Sequence, residues 1–168
     1  MNKILLLFLS FCFLFLNVEA NELDYDYSDT FSIPIKLKIL KEISTKDGLI
    51  EGDEIQFKVI KNVYHKRELI VKKDEIVSAR IETYITKGFN GFPAEIIVGN
   101  FKFENLKSSQ LLDTYSKAGA NRCFWVFPIK WALTPIPFVG SITNLILGGE
   151  AKITTDDIIT IYYYPNWK

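Results

Sequence analysis

The chain has 168 residues, with 20 basic and 20 acidic side chains, one histidine and two cysteines, and 48% of it is apolar. Net neutrality excludes a nucleic-acid partner recruited through bulk charge, and so few histidines and cysteines exclude the usual N/S-ligated zinc site. The length suffices for one domain with a real core, since a chain of about 150 residues buries roughly two-thirds of its surface.

Residues 1–20, MNKILLLFLSFCFLFLNVEA, combine Lys3, a predominantly apolar run from Ile4 to Leu16, and Ala20 preceded two places earlier by Val18. That pattern is a secretory signal peptide, with cleavage expected after Ala20. Its apolar core is shorter than the roughly 20 residues of a membrane-spanning helix. Bulky Phe11 argues against lipidation at Cys12. Cleavage leaves Cys123 as the sole cysteine, so no intrachain disulfide is expected. Its neighbours Phe124, Trp125, Val126 and Phe127 predict a buried, unreactive thiol. Residues 21–32, NELDYDYSDTFS, carry acids and no base and read as a disordered acidic leader. Residues 33–168 are expected to form a single β domain.

From Ile33 the apolar side chains Ile33, Ile35, Leu37 and Ile39 alternate with Pro34, Lys36 and Lys38, the period of a strand with one buried face. Pro34 suits the start of an edge strand. Two turn pairs, Asp47-Gly48 and Gly52-Asp53, reverse the chain. Ile55, Phe57 and Val59 form the next strand, after which the apolar phase slips at Ile60, suggesting a bulge. After a short strand at Leu69 to Val71, the residues Val77, Ala79, Ile81, Thr83 and Ile85 share one face of a long half-buried strand. Asn90-Gly91 predicts a hairpin turn, followed by Ala94, Ile96 and Val98 and then, on the other phase, Phe101 and Phe103.

A strand over Gln110 to Ser116 is favoured above a short helix, which would be marginal on its own. The segment from Cys123 to Gly149 is the most apolar beyond the leader, yet Pro128, Pro135, Pro137 and Lys130 disqualify it as a spanning helix. Two extended pieces, Phe124 to Leu133 and Ile142 to Leu147, are expected instead. Ile159, Ile161 and Tyr163 then oppose Thr160, Tyr162 and Tyr164 in a closing strand. The expected fold is all-β: a single small β-barrel or sandwich of about eight or nine short antiparallel strands.

The succession Ser44-Thr45-Lys46, then Gly52-Asp53-Glu54-Ile55-Gln56-Phe57-Lys58-Val59, then Leu69-Ile70-Val71-Lys72-Lys73-Asp74-Glu75-Ile76-Val77, resembles a small all-β domain found in many exported bacterial proteins of unknown function. Gly148 to Ile153 and Ile158 to Tyr162 look like the ending of that domain. More distantly, the hairpin is similar to the β-barrel component of type IV secretion core complexes. Asp74 stands where the hairpin glycine of the domain is usual, and Ala79 where a second glycine is usual. The resemblance implies export and β architecture, and no chemistry.

Nothing in the chain marks an enzyme. A nucleophile pair of Cys123 with the lone His65 is conceivable by residue type, but a single loop histidine is ordinarily just solvated. The paired acids Asp53-Glu54 and Asp156-Asp157 fall at turns, where carboxylates bond the backbone. The basic run Lys58, Lys61, Lys66, Arg67, Lys72 and Lys73 suits solvent-facing strand positions. No cofactor is expected.

The candidate binding group is aromatic: Trp125, Phe127, Trp131 and Phe138. Such residues either plug one end of the barrel or cover the sheet, or form an exposed patch for an envelope protein partner or a peripheral membrane contact. The expected function is therefore that of an exported, non-enzymatic envelope protein of the periplasm or cell exterior, a structural or protein-interaction module. The alternative is a small barrel binding an apolar ligand or lipid, with Phe57, Ile81 and Ile96 among its lining and a membrane-surface contact through 123–149.

Overall fold

The structure, a computed structural model, describes residues 31–111, 114–136 and 139–165. The expected signal peptide, almost all of the acidic leader and Phe138 lie outside the described residues. Among the described residues ten strands follow in order: β1 (Ile33–Ile39), β2 (Ile43–Ser44), β3 (Glu54–Val59), β4 (Val63–His65), β5 (Glu68–Val71), β6 (Ile76–Ile85), β7 (Glu95–Lys102), β8 (Tyr115–Ala118), β9 (Lys152–Ile153) and β10 (Ile159–Tyr163). The protein is all-β.

Six of the strands form one antiparallel sheet in the order β10-β1-β3-β6-β7-β8. Its two edges come together as a nearly closed barrel: Leu111 bridges Tyr163, the Tyr164 N–H donates to the Gln110 carbonyl at 3.0 Å, and Gln110 Nε2 donates to the Pro165 carbonyl at 3.0 Å. From β8 itself, Lys117 Nζ meets Asp157 Oδ1 at 2.6 Å. That ammonium, aided by the Thr154 N–H, holds the Asp157 carboxyl below its ordinary pKa. Closure of this kind removes the unpaired edges on which a sheet would otherwise aggregate.

Alternation fills the interior. Ile33, Ile35, Leu37 and Ile39 of β1, Phe57 and Val59 of β3, Val77, Ala79 and Ile81 of β6, and Ile159 and Ile161 of β10 are all buried in one cluster. The phase change read between Val98 and Phe101 is a β-bulge: Arg80 faces Gly99 while Ser78 faces Lys102, and Asn100 takes a positive φ of 54°. A second shift between Ile81 and Thr83 turns Ile85 out, leaving it 51% exposed rather than on the buried face expected for it.

Several expectations need correction. The slip at Ile60 is a strand end and not a bulge, since β3 stops at Val59 and the chain crosses to the β4–β5 hairpin. β1 is a central strand, so Pro34 is not on an edge. The Ile60 N–H donates to the Lys36 carbonyl, and strand parity puts Pro34 on that same side, beyond the stretch of β1 that pairs with β3, Leu37 to Ile39. Its missing N–H therefore costs no ladder bond. The strand expected over 110–116 begins only at Tyr115, after a 3-10 turn at Ser108–Gln110.

Asp74, at the glycine position of the resembling domain, has the glycine-like φ of 67°, and its carboxylate meets Lys58 at 3.1 Å with both side chains about half exposed. An L-residue is disfavoured there, while an exposed ion pair returns little. Asp74→Gly is expected to raise stability by about 0.5–1 kcal/mol in urea unfolding; a drop instead would mean that the Lys58 contact outweighs the backbone strain.

Candidate functional site

The stretch expected as two extended pieces is helical. It forms helix α1 (Cys123–Leu133), short helix α2 (Val139–Ile142) and a 3-10 turn at Thr143–Leu145. The residues of α1 that face the protein, Cys123, Val126, Lys130 and Leu133, recur at three- and four-residue spacing, a helical period that the strand reading overlooked. Asn121 Oδ1 accepts from the Cys123 N–H at 2.9 Å and satisfies the start of the helix. Pro128 forfeits the bond to the Phe124 carbonyl, one lost contact in an otherwise complete turn pattern. Pro135 follows the last turn, where a helix commonly stops.

This hairpin stands on a base made by three segments of main chain. The Gly91 N–H donates to the Ile146 carbonyl at 2.8 Å, the Arg122 N–H to Gly91 at 3.0 Å, the Ala94 N–H to Gly149 at 2.9 Å, the Gly119 N–H to Ala94 at 2.8 Å, and the Gly149 N–H to Ala120 at 2.9 Å. Such close approach needs residues without side chains. A Cβ on Gly148 would fall 1.8 Å from the Phe92 carbonyl oxygen, and one on Gly119 would fall 2.3 Å from that of Gly149. Next in the chain, Glu150 accepts from Thr45 Oγ1 at 2.7 Å and pairs with Lys87 Nζ at 2.5 Å. The Lys87 ammonium first, then the Thr45 hydroxyl, hold its carboxyl below the ordinary range.

Of the aromatic group, Trp131 is 78% exposed and Trp125 and Phe127 are each 37% exposed, while Val126 is the buried residue of α1. The described aromatics therefore do not plug the barrel. The structure brings them together with residues that the sequence reading left out. Phe92 meets Phe127 edge to face with ring centroids 6.2 Å apart, and Phe124, Ile129, Ile142 and Leu145 extend the same exposed apolar surface. The one signal for Phe92 was its place beside the Asn90-Gly91 turn, which packs against α1. Lys130 is half-buried, and its Nζ donates to Asn90 Oδ1 at 3.2 Å and to Asn144 Oδ1 at 2.7 Å.

The remaining candidates stay apart. His65 ends β4 opposite Glu68, whereas Cys123 opens α1 and is half-buried rather than buried as expected. Asp53 and Asp157 bond turn N–H groups, of Ile50 at 3.3 Å and Thr154 at 2.8 Å. Phe57 and Ile96 are fully buried in the packed core. Ile81 alone of the three touches a cleft of about 480 Å³ between Leu40–Ile43, Asp47–Leu49 and Asp53–Gln56. Among the described residues no group of His, Cys, Asp or Glu is arranged to hold a metal ion. No protein family, curated protein or solved structure matches this chain.

The base makes its own prediction. Gly148→Ala must push main chain apart and is expected to cost about 1–3 kcal/mol in thermal or urea unfolding. Gly140→Ala, whose Cβ would meet its nearest neighbour at an ordinary 3.6 Å, is expected to change stability by under about 0.5 kcal/mol. Equal effects would show that the close approach at Gly148 carries no structural weight.

Proposed function

We propose that the protein is an exported, non-enzymatic β-barrel module of the bacterial envelope that works by docking through the apolar hairpin at one end of its barrel. The observation that carries this reading is the exposure of Phe124 and Trp131, each 78%, on a helix that holds only one residue, Val126, in the interior. A contiguous apolar surface of this sort marks an interaction site. Export rests on the pattern of residues 1–20 and on the resemblance to exported β domains. A non-enzymatic role is supported by what the acids with displaced pKa values do. Asp157, Glu150 and Glu42 each bind a lysine, Lys117, Lys87 and Lys152, and none of the three lies in the apolar segment 123–149.

Fractionation of cells making the full chain tests the reading. The wild type is expected to sediment with the envelope, and Phe124→Glu combined with Trp131→Glu is expected to move most of it to the soluble fraction at unchanged thermal stability. A double variant that sediments like the wild type would remove the hairpin as the docking surface.

A further inference from the structure

The hairpin keeps its one charged side chain on the line that faces the protein, beside Cys123, Val126 and Leu133, and presents apolar side chains over the rest of its surface, where a helix of a water-soluble domain is polar. The segment from Cys123 to Gly149 holds no acid, and its single charged side chain, Lys130, lies on the inward line of α1, bound to the amide oxygens of Asn90 and Asn144. The rest of the circumference, Phe124, Trp125, Phe127, Pro128, Ile129, Trp131 and Ala132, is exposed and apolar. The second arm repeats the inversion: Thr143 is 3% exposed, whereas Ile142 and Leu145 are 60% and 73% exposed. The threonine hydroxyls are satisfied by their own turns, Thr134 Oγ1 donating to the Lys130 carbonyl at 2.9 Å and Thr143 Oγ1 to the Gly140 carbonyl at 2.8 Å, while Ser141 is exposed.

These features separate two kinds of occupant. A protein partner covers one face of a helix and meets a polar rim around an apolar centre. Here the apolar surface covers α1 on every side but its inward line, and its exposed polar neighbours, Asn121, Arg122 and Thr134, stand only at the ends of the helix. Lipid imposes the opposite demands: ionisable groups turned toward protein, polar groups satisfied internally, and Trp and Phe outside. Length adds a further constraint. The 11 residues of α1 span roughly 16 Å, about half of a hydrocarbon core of roughly 30 Å. No helix among the described residues is long and apolar enough to cross a membrane. At the root of the hairpin, exposed Arg122, donating to the Leu147 carbonyl at 3.2 Å, stands where phosphate headgroups would lie.

We infer that the occupant of this surface is a single leaflet of a lipid bilayer, which the inside-out hairpin enters as a monotopic anchor while the barrel stays in water. The inference rests on the docking reading above and names its partner.

Tryptophan fluorescence of the full chain carrying Trp167→Phe tests it on phosphatidylcholine vesicles with and without bromine on the acyl chains. The chain has three tryptophans, so this background leaves Trp125 and Trp131 as reporters, and the apolar segment 4–16 contains none to confuse the signal. A blue shift on adding vesicles, quenching by the brominated chains, and a loss of binding of ~10-fold or more in Phe124→Glu/Trp131→Glu are the expected results. An unshifted, unquenched spectrum of the parent overturns the inference, and this outcome needs no variant to fold. If envelope sedimentation still depends on the hairpin in that case, the docking reading survives with a protein as its partner. If neither is seen, both fall.

Discussion

The position of the apolar hairpin depends on main-chain hydrogen bonds, since side-chain burial contributes little to it. Only Val126 of α1 is buried, so the usual adhesive between a helix and its domain, apolar area removed from water, is nearly missing. What replaces it is the interlock of segments 88–94, 119–122 and 146–149, in which the N–H groups of Gly91, Ala94, Gly119, Arg122 and Gly149 all find carbonyls on a neighbouring segment. Glycine makes that spacing possible, and Glu150, tied to Lys87 and Thr45, fastens the last segment to the barrel. A base held in this way leaves the apolar side chains of the hairpin free for something outside the chain.

The barrel beneath serves as the rigid platform. Its core is filled by alternating side chains from β1, β3, β6, β7 and β10, and its edges are joined through Gln110, Leu111 and residues 163–165. Because the interior is packed by Phe57, Phe101 and their neighbours, with the two rings 5.6 Å apart, the apolar chemistry left for recognition lies at the end of the barrel. Strands on either side of 123–149 close the barrel, and the excursion between β8 and β9, with Phe92 from the β6–β7 connection, carries the exposed apolar side chains.

Much of the barrel was legible because a strand with one buried face writes its period into the sequence. The buried faces of β1 and β10, and that of β6 as far as Ile81, could be read residue by residue, and even the bulge at Asn100 left its trace as the phase change between Val98 and Phe101. The errors came where that code has no purchase. Pro34 looked like an edge residue because the partner of a strand is set by the whole sheet, which no local pattern records. The hairpin was misread as extended because its prolines and aromatics mimic strand composition, and because a helix is normally recognised by an apolar stripe against a polar remainder. In α1 apolar residues occupy nearly every position, so the only periodic signal was the inward line of Cys123, Val126, Lys130 and Leu133. Trp125, Phe127 and Trp131 were identifiable as candidates from residue type, but whether they were hidden or presented depended on contacts between segments 30 and more residues apart, such as Lys130 with Asn90.

If lipid covers the hairpin, the barrel that holds it remains in water. The most direct measurement is nuclear magnetic resonance of the isotope-labelled protein on phosphatidylcholine bicelles with a water-soluble gadolinium chelate. Signals from the barrel strands are expected to broaden strongly, while those of Phe124 to Trp131 and Ile142 to Leu145 are spared. Equal broadening of hairpin and exposed barrel residues would mean that the hairpin stays in water.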